Sequence, residues 1–161
     1  MEIERKFLVK SLPEHLEDFP AYQIEQGYLN TEPVLRIRRK NDSYIFTYKS
    51  AGLMSREEIE VPLTEQAYAH LVPKCDGNFI SKTRYLIPDD QGYTIEFDVF
   101  HDCFQGLLLA EVEFPSEEAA TAYQPPEWFT CEVTQESAFH NSSLSNANPK
   151  DILCLAKERL Q

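Results

Sequence analysis

Residues 1–9 read MEIERKFLV. In an extended chain successive side chains point to opposite faces, so Glu2, Glu4 and Lys6 share one face and Ile3, Arg5, Phe7 and Val9 share the other. The second face can bury, whereas the first carries only charge. On a single antiparallel strand such a face ordinarily meets water. Its meaning therefore depends on whether other strands repeat it.

They do. Period-two alternation recurs over 22–29, 33–39, 43–50, 56–63, 79–87, 93–100, 107–114 and 128–134. Arg36 and Arg38 lie together opposite Leu35 and Ile37, and Arg56, Glu58 and Glu60 lie opposite Ile59 and Val61. Lys82 and Arg84 oppose Thr83 and Tyr85, Glu96 and Asp98 oppose Ile95, Phe97 and Val99, and Glu111 and Glu113 oppose Ala110, Val112 and Phe114. Lys49 ends the strand YIFTYK. Turn signals at Asn41-Asp42-Ser43 and at 88–92 (PDDQG) make these hairpin connections and the sheet mostly antiparallel.

A sheet with one apolar face must cover it, and the available cover is a few helices. Thr64 caps a predicted helix to about Cys75, Ser116 caps another to about Tyr123, and a C-terminal helix runs over about 149–160. A short helix is expected around Pro13 to Phe19, and the Ser/Asn-rich stretch SAFHNSSLSNANPK reads as a loop leading into the last helix. The expected fold class is α+β: a closed eight-stranded antiparallel β-barrel with a few flanking helices, one domain over 1–161. About eight strands enclose an interior wide enough for side chains and one small ligand. Here that interior holds both signs of charge.

The net charge of −12 excludes a general nucleic-acid-binding surface, which needs cations to neutralise phosphates. No apolar run approaches the roughly 20 residues of a membrane span, and no secretory signal opens the chain, so a cytoplasmic protein is expected. Cys75, Cys103, Cys131 and Cys154 form no CxxC pair and read as free buried thiols. His101 and Cys103 are too few for a metal site of their own.

Like charges crowded in a partly desolvated space repel one another and demand counterions. Carboxylates answer that demand with hard divalent cations, and Arg and Lys answer it with phosphate. A metal together with a polyanion neutralises both sets.

The ordered residues resemble the CYTH superfamily, the triphosphate tunnel metalloenzymes. The ExExK signature of Glu2, Glu4 and Lys6 is followed by GYL with Tyr28, LRIR with Arg36 and Arg38, and YKS with Lys49. REEIE with Glu58 and Glu60, KTR with Lys82 and Arg84, EFDVF with Asp98, and GLLLAEVEF with Glu111 and Glu113 complete the match over residues 2 to about 134. The resemblance implies a barrel tunnel in which acids bind one or two Mg²⁺ or Mn²⁺ ions and bases hold a triphosphate. Glu2, Glu4, Glu111 and Glu113 are the implied metal ligands, with Glu58, Glu60 and Asp98 next; Lys6, Arg36, Arg38, Lys49, Lys82 and Arg84 are the implied phosphate contacts, with pairing to the acids rather than to phosphate the alternative for Lys6. Tyr28 with Lys49 matches a tyrosine and lysine pair that activates water in some members. Gln135 and Phe139 stand where an acid and a tyrosine are common in the family, so no site residue is placed there.

The implied activity is metal-dependent hydrolysis of a triphosphate, with inorganic tripolyphosphate the expected substrate of a short chain without added domains. Nucleoside or thiamine triphosphatase, adenylate cyclase and a non-catalytic polyphosphate-binding protein are the alternatives. The partner is a small-molecule polyphosphate, and the family makes a homodimer plausible.

Overall fold

The computed structural model describes residues 1–161. Its strands are β1 (Glu2–Leu8), β2 (Ala21–Thr31), β3 (Val34–Lys40), β4 (Ser43–Lys49), β5 (Ser55–Arg56), β6 (Glu58–Leu63), β7 (Asp76–Pro88), β8 (Thr94–Phe100), β9 (Leu108–Glu113) and β10 (Cys131–Glu132). All pair antiparallel in the order β10-β1-β9-β8-β7-β2-β3-β4-β6, with β5 on β1.

The sheet closes through an interrupted arm. The expected strand 56–63 breaks at Glu57: β5 pairs with β1 (Glu2↔Arg56, Ile3↔Ser55) and β6 pairs with β4 (Lys49↔Glu58 through Tyr44↔Leu63). A 3.0 Å bond from the Glu4 N–H to the Met54 carbonyl adds to this short seam. Farther along β1, the same edge is taken by β10 (Phe7↔Glu132, Leu8↔Cys131). The result is a nearly closed barrel with nine strands on its hydrogen-bonded path, where eight were expected. The extra one, β10, keeps only two of the residues expected over 128–134.

The hairpins form where turn chemistry placed them. Lys40↔Ser43 closes the β3–β4 turn, whose Asn41 has φ 52°, a left-handed conformation that asparagine tolerates. Helix α1 (Glu65–Leu71) is capped by Thr64 Oγ1 accepting from the Ala67 N–H at 3.0 Å, then tightens to a 3₁₀ turn at Val72–Lys74. Helix α2 (Glu117–Ala122) is capped by Ser116 in the same way, at 3.1 Å from the Ala119 N–H. The Pro13–Phe19 region holds only a 3₁₀ turn at Leu16–Asp18. The stretch expected to be a loop folds instead into a 3₁₀ turn at Ser137–Phe139 and helix α3 (Asn141–Asn146), ahead of α4 (Pro149–Arg159).

Two cores flank the charged interior. The outward face of β1, with Ile3, Phe7 and Val9, packs with Phe97, Val112, Phe114 and Phe129 beneath Ala120 and Tyr123 of the α2 region. Arg5 leaves this face sideways: its guanidinium donates twice to Glu132 at 2.8 Å and once each to the Ala120 and Tyr123 carbonyls, so it satisfies the end of α2 and ties β1 to β10. The second core explains how the tunnel is filled. Leu8, Ile80, Phe100 and Leu109 continue the inward alternation of Glu4-Lys6, Lys82-Arg84, Glu96-Asp98 and Glu111-Glu113, and they pack with Phe139, Leu144 and Ile152. Each buried Phe contributes about 1.5–3 kcal/mol. One half of the interior is therefore solid, closed by α3 and α4, and the other half is the charged chamber.

Gly77 (φ 69°) lets α3 dock, since a Cβ there would lie 1.9 Å from the Ser145 carbonyl oxygen. Against expectation, Ile59 and Val61 on β6 stay exposed, at 58% and 44%. The four cysteines are free, but none is buried. No helix is long and apolar enough to cross a membrane.

Candidate active site

The chamber has a volume of about 240 Å³ and is lined by seven acids and seven bases. The acids are Glu2, Glu4, Glu58, Glu60, Glu96, Glu111 and Glu113; the bases are Lys6, Arg36, Arg38, Lys40, Lys49, Arg56 and Arg84. A balanced lining inside a chain of net charge −12 is a local arrangement that the composition does not reveal. Tyr28, Val34, Asn141 and Ser142 complete the walls. Sites for drug-sized ligands span about 300–1,000 Å³ and are mostly apolar. This chamber suits a smaller and more highly charged ligand.

Strand register builds the acid wall. Glu4 faces Glu113 and Lys6 faces Glu111 across the β1–β9 pair, and Glu96 faces Glu111 across β8–β9. The first strand and AEVEF are thus neighbours on one wall. Burial, then Glu111 and Glu2, push the Glu4 carboxyl up to about 7. Glu111 goes the other way: against its own desolvation, Lys6 and Arg84 hold it well below the ordinary carboxylate range. Lys6, desolvated as well, is kept above its usual value by Glu111 and Glu4; its Nζ sits 3.3 Å from Glu111 Oε1 and 3.4 Å from the Phe139 carbonyl.

Most of the remaining acids are already engaged. Glu2 holds Lys49 Nζ at 2.9 Å with both oxygens and meets Arg56 at 3.8 Å. Glu58 lies 3.4 Å from Lys49 Nζ and Glu60 3.8 Å from Arg36. No three acids converge as a finished ligand set. The donors nevertheless fit a hard cation, because they are all carboxylate oxygens. Glu111 Oε1 is buried without a well-formed hydrogen bond, and burial, then Glu111 and Glu2, oppose the charge of Glu4, a cost that a bound cation would relieve.

Two arginines of the basic wall are incompletely satisfied as well. Arg36 donates to Thr47 Oγ1 at 3.1 Å, but its Nε is buried without a partner. Arg38 has a single hydrogen bond, from Nε to Gln26 Oε1 at 2.7 Å, and no carboxylate partner. Burial, then Arg36 and Arg84, push it down to about 9. Arg84 is the opposite case, clamped by Asp98 at 2.7 and 2.8 Å, by Glu96, and by Glu111 at 3.6 Å.

Two expected contacts lie elsewhere. Lys82 and Asp98 do not reach the chamber: both are fully buried, 2.6 Å apart, in the layer between the charged and the apolar halves. Burial pulls Lys82 down to about 7 against the attraction of Asp98. Tyr28 and Lys49 both line the chamber but do not touch; the Tyr28 hydroxyl accepts from Gln26 Nε2 at 3.1 Å, while Lys49 is on Glu2.

Residues 1–122 match the CYTH domain. The chain belongs to the CYTH family. Among curated CYTH relatives, the inorganic triphosphatase of Nitrosomonas europaea is 40% identical over 151 residues, covering 92% of this chain and 99% of that protein. The inorganic triphosphatase of Acetivibrio thermocellus is 35% identical over 153 residues, covering 89% and 92%. A crystal structure of an inorganic triphosphatase superposes with a TM-score of 0.70 at 38% identity, covering 92% of this chain and 97% of that one. A Hippeastrum protein described as an adenylyl cyclase with dominant triphosphatase activity shares the fold, at a TM-score of 0.60 and 18% identity, covering 75% of this chain and 83% of that one.

In the lining of this CYTH chamber, sequence reasoning missed Lys40, Asn141 and Ser142 and left Arg56 and Glu96 without a role; it also missed Gln26, which is buried behind the lining on Arg38. Arg56 sits opposite Glu2 in the seam and 3.7 Å from Glu4, so the strand that closes the barrel also completes the acid wall. Gln26 carried a signal: it stands two residues before Tyr28 and therefore on the same face.

Proposed function

We propose that the chain hydrolyses inorganic tripolyphosphate to pyrophosphate and orthophosphate with Mg²⁺ or Mn²⁺. The observation that carries this reading is Arg38, a buried guanidinium facing the chamber without a carboxylate beside a wall of acids that are mostly paired. A desolvated, unpaired cation of this kind is costly unless an anion completes it. Arg36, Arg38 and Arg84 hold the phosphate chain, and Lys49 joins them when it exchanges Glu2 for a phosphoryl oxygen. Phosphoryl transfer is catalysed mainly by such positioning and charge stabilisation.

Glu2, Glu4, Glu111 and Glu113 would hold the cation, with Glu58 and Glu60 at the rim. A bound divalent ion neutralises phosphoryl oxygens and lowers the pKa of a bound water. Tyr28, across from Arg36 in register and close to Arg38, would take the proton of the attacking water as its phenolate, a form that the Lys49 ammonium would favour on leaving Glu2. The absence of an aromatic platform other than the buried Tyr28 favours a bare polyphosphate over a nucleotide.

The test is orthophosphate release from tripolyphosphate, ATP and thiamine triphosphate side by side, with each metal. Preference for tripolyphosphate supports the reading. Tripolyphosphate left intact while it still raises the melting temperature would make the protein a binder instead.

A further inference from the structure

We propose that Gln26 is a positioning residue of this reaction, its side-chain amide aiming Arg38 at the phosphate chain and fixing Tyr28 beside it. The inference rests on the triphosphatase reading above. Gln26 is fully buried, directly across from Arg38 in the β2–β3 pair, and on the same face of β2 as Tyr28. Arg38 Nε–H can only donate, so the amide oxygen must face it and the amide NH₂ must face the phenol oxygen. The amide thus has one orientation, and both of its ends are used.

The consequence lies in what stays free. Nε is the inner nitrogen of the guanidinium, and tying it down leaves both terminal NH₂ groups of Arg38 uncommitted and directed to the chamber. Arg84 shows the alternative: Asp98 takes its Nε and one terminal nitrogen together. A carboxylate at position 26 would do the same to Arg38, and the substrate would have to displace it. A neutral acceptor fixes the side chain without neutralising it. The donor end of the same amide fills a lone pair of Tyr28, so the phenol is held at a defined place relative to Arg38.

The test is a double-mutant cycle on tripolyphosphate affinity, read by calorimetry without metal and by KM and kcat with it, with melting temperature as a check on folding. Gln26→Glu keeps the shape and supplies Arg38 with a carboxylate. We expect it to melt no lower than wild type, to bind tripolyphosphate at least tenfold more weakly and to raise KM. In an Arg38→Met background the same change should alter affinity less than twofold. A merely structural role predicts equal effects in both backgrounds, and that result, or wild-type affinity in Gln26→Glu, overturns the inference. If Gln26→Glu does not fold, Gln26→Met reads the same contact: weaker affinity with Arg38 present, and no further change in the Arg38→Met background. Wild-type protein that neither binds nor cleaves tripolyphosphate would remove the triphosphatase reading and this inference together; turnover with an additive cycle would remove this inference alone.

Discussion

Lys49 Nζ lies 2.9 Å from both carboxylate oxygens of Glu2, so a base expected on phosphate is held by an acid expected on metal. The two halves of the site neutralise each other when nothing else is bound. On the triphosphatase reading, loading either half would release a partner in the other and so couple cation and anion binding.

That coupling has a direct readout. Glu2→Gln weakens the grip on Lys49, so metal-free tripolyphosphate affinity should rise by roughly tenfold, about 1.4 kcal/mol, and the gain in affinity on adding Mg²⁺ should shrink. Calorimetry with and without Mg²⁺ checks both. Weaker metal-free binding in Glu2→Gln would count against the exchange.

Arg38 should trade stability against function. It is buried, unpaired and repelled by Arg36 and Arg84. Removing such a charge costs the fold little, so Arg38→Met should melt no lower than wild type. Its turnover should drop by about a hundredfold or more, as when a preorganised charge contact to a transition state is lost. A variant that unfolds, or one that keeps its rate, contradicts this assignment.

Glu4 gives the metal-free protein a pH dependence of unusual sign. Its carboxyl is raised from 4.5 to about 7 by burial and then by Glu111 and Glu2. Between those values the folded chain keeps a proton that the unfolded chain has released, so stability falls as pH rises through the window. The wild-type melting temperature should therefore decline from about pH 5 to pH 8 relative to Glu4→Gln, with Mg²⁺ restoring it at the upper end. A difference that is flat across the range would show that Glu4 does not titrate there.

The Lys82–Asp98 pair should behave as architecture. Asp98→Asn leaves Lys82 and Arg84 buried without their main counterion, and losing one partner of a buried pair costs about 3–5 kcal/mol. Lys82→Met leaves Asp98 on Arg84 and should cost less than half as much. Urea denaturation of the two variants measures this, and equal costs would reverse the assignment.

The case of Lys82 also shows what the sequence makes legible. Alternation assigned it correctly to the inward face, as it did Glu4, Arg38 and Glu111, because a strand's period of two is a local property. Depth along the barrel is not local: it depends on Leu8, Phe100, Leu109 and α3 filling the far half. Helix α3 was hidden because Ser and Asn favour turns over helix interiors, and here docking on β7 overrides that preference. Gln26 escaped notice because the inward faces were found by their charge, and its part in the site depends on being neutral.

The most direct test of the central claim is orthophosphate release by the wild-type protein from tripolyphosphate, compared with ATP under identical Mg²⁺ or Mn²⁺. The chamber's size and its lack of a stacking platform predict that tripolyphosphate is cleaved with the higher kcat/KM and only with metal present. Faster cleavage of ATP, or metal-independent cleavage of tripolyphosphate, would contradict it.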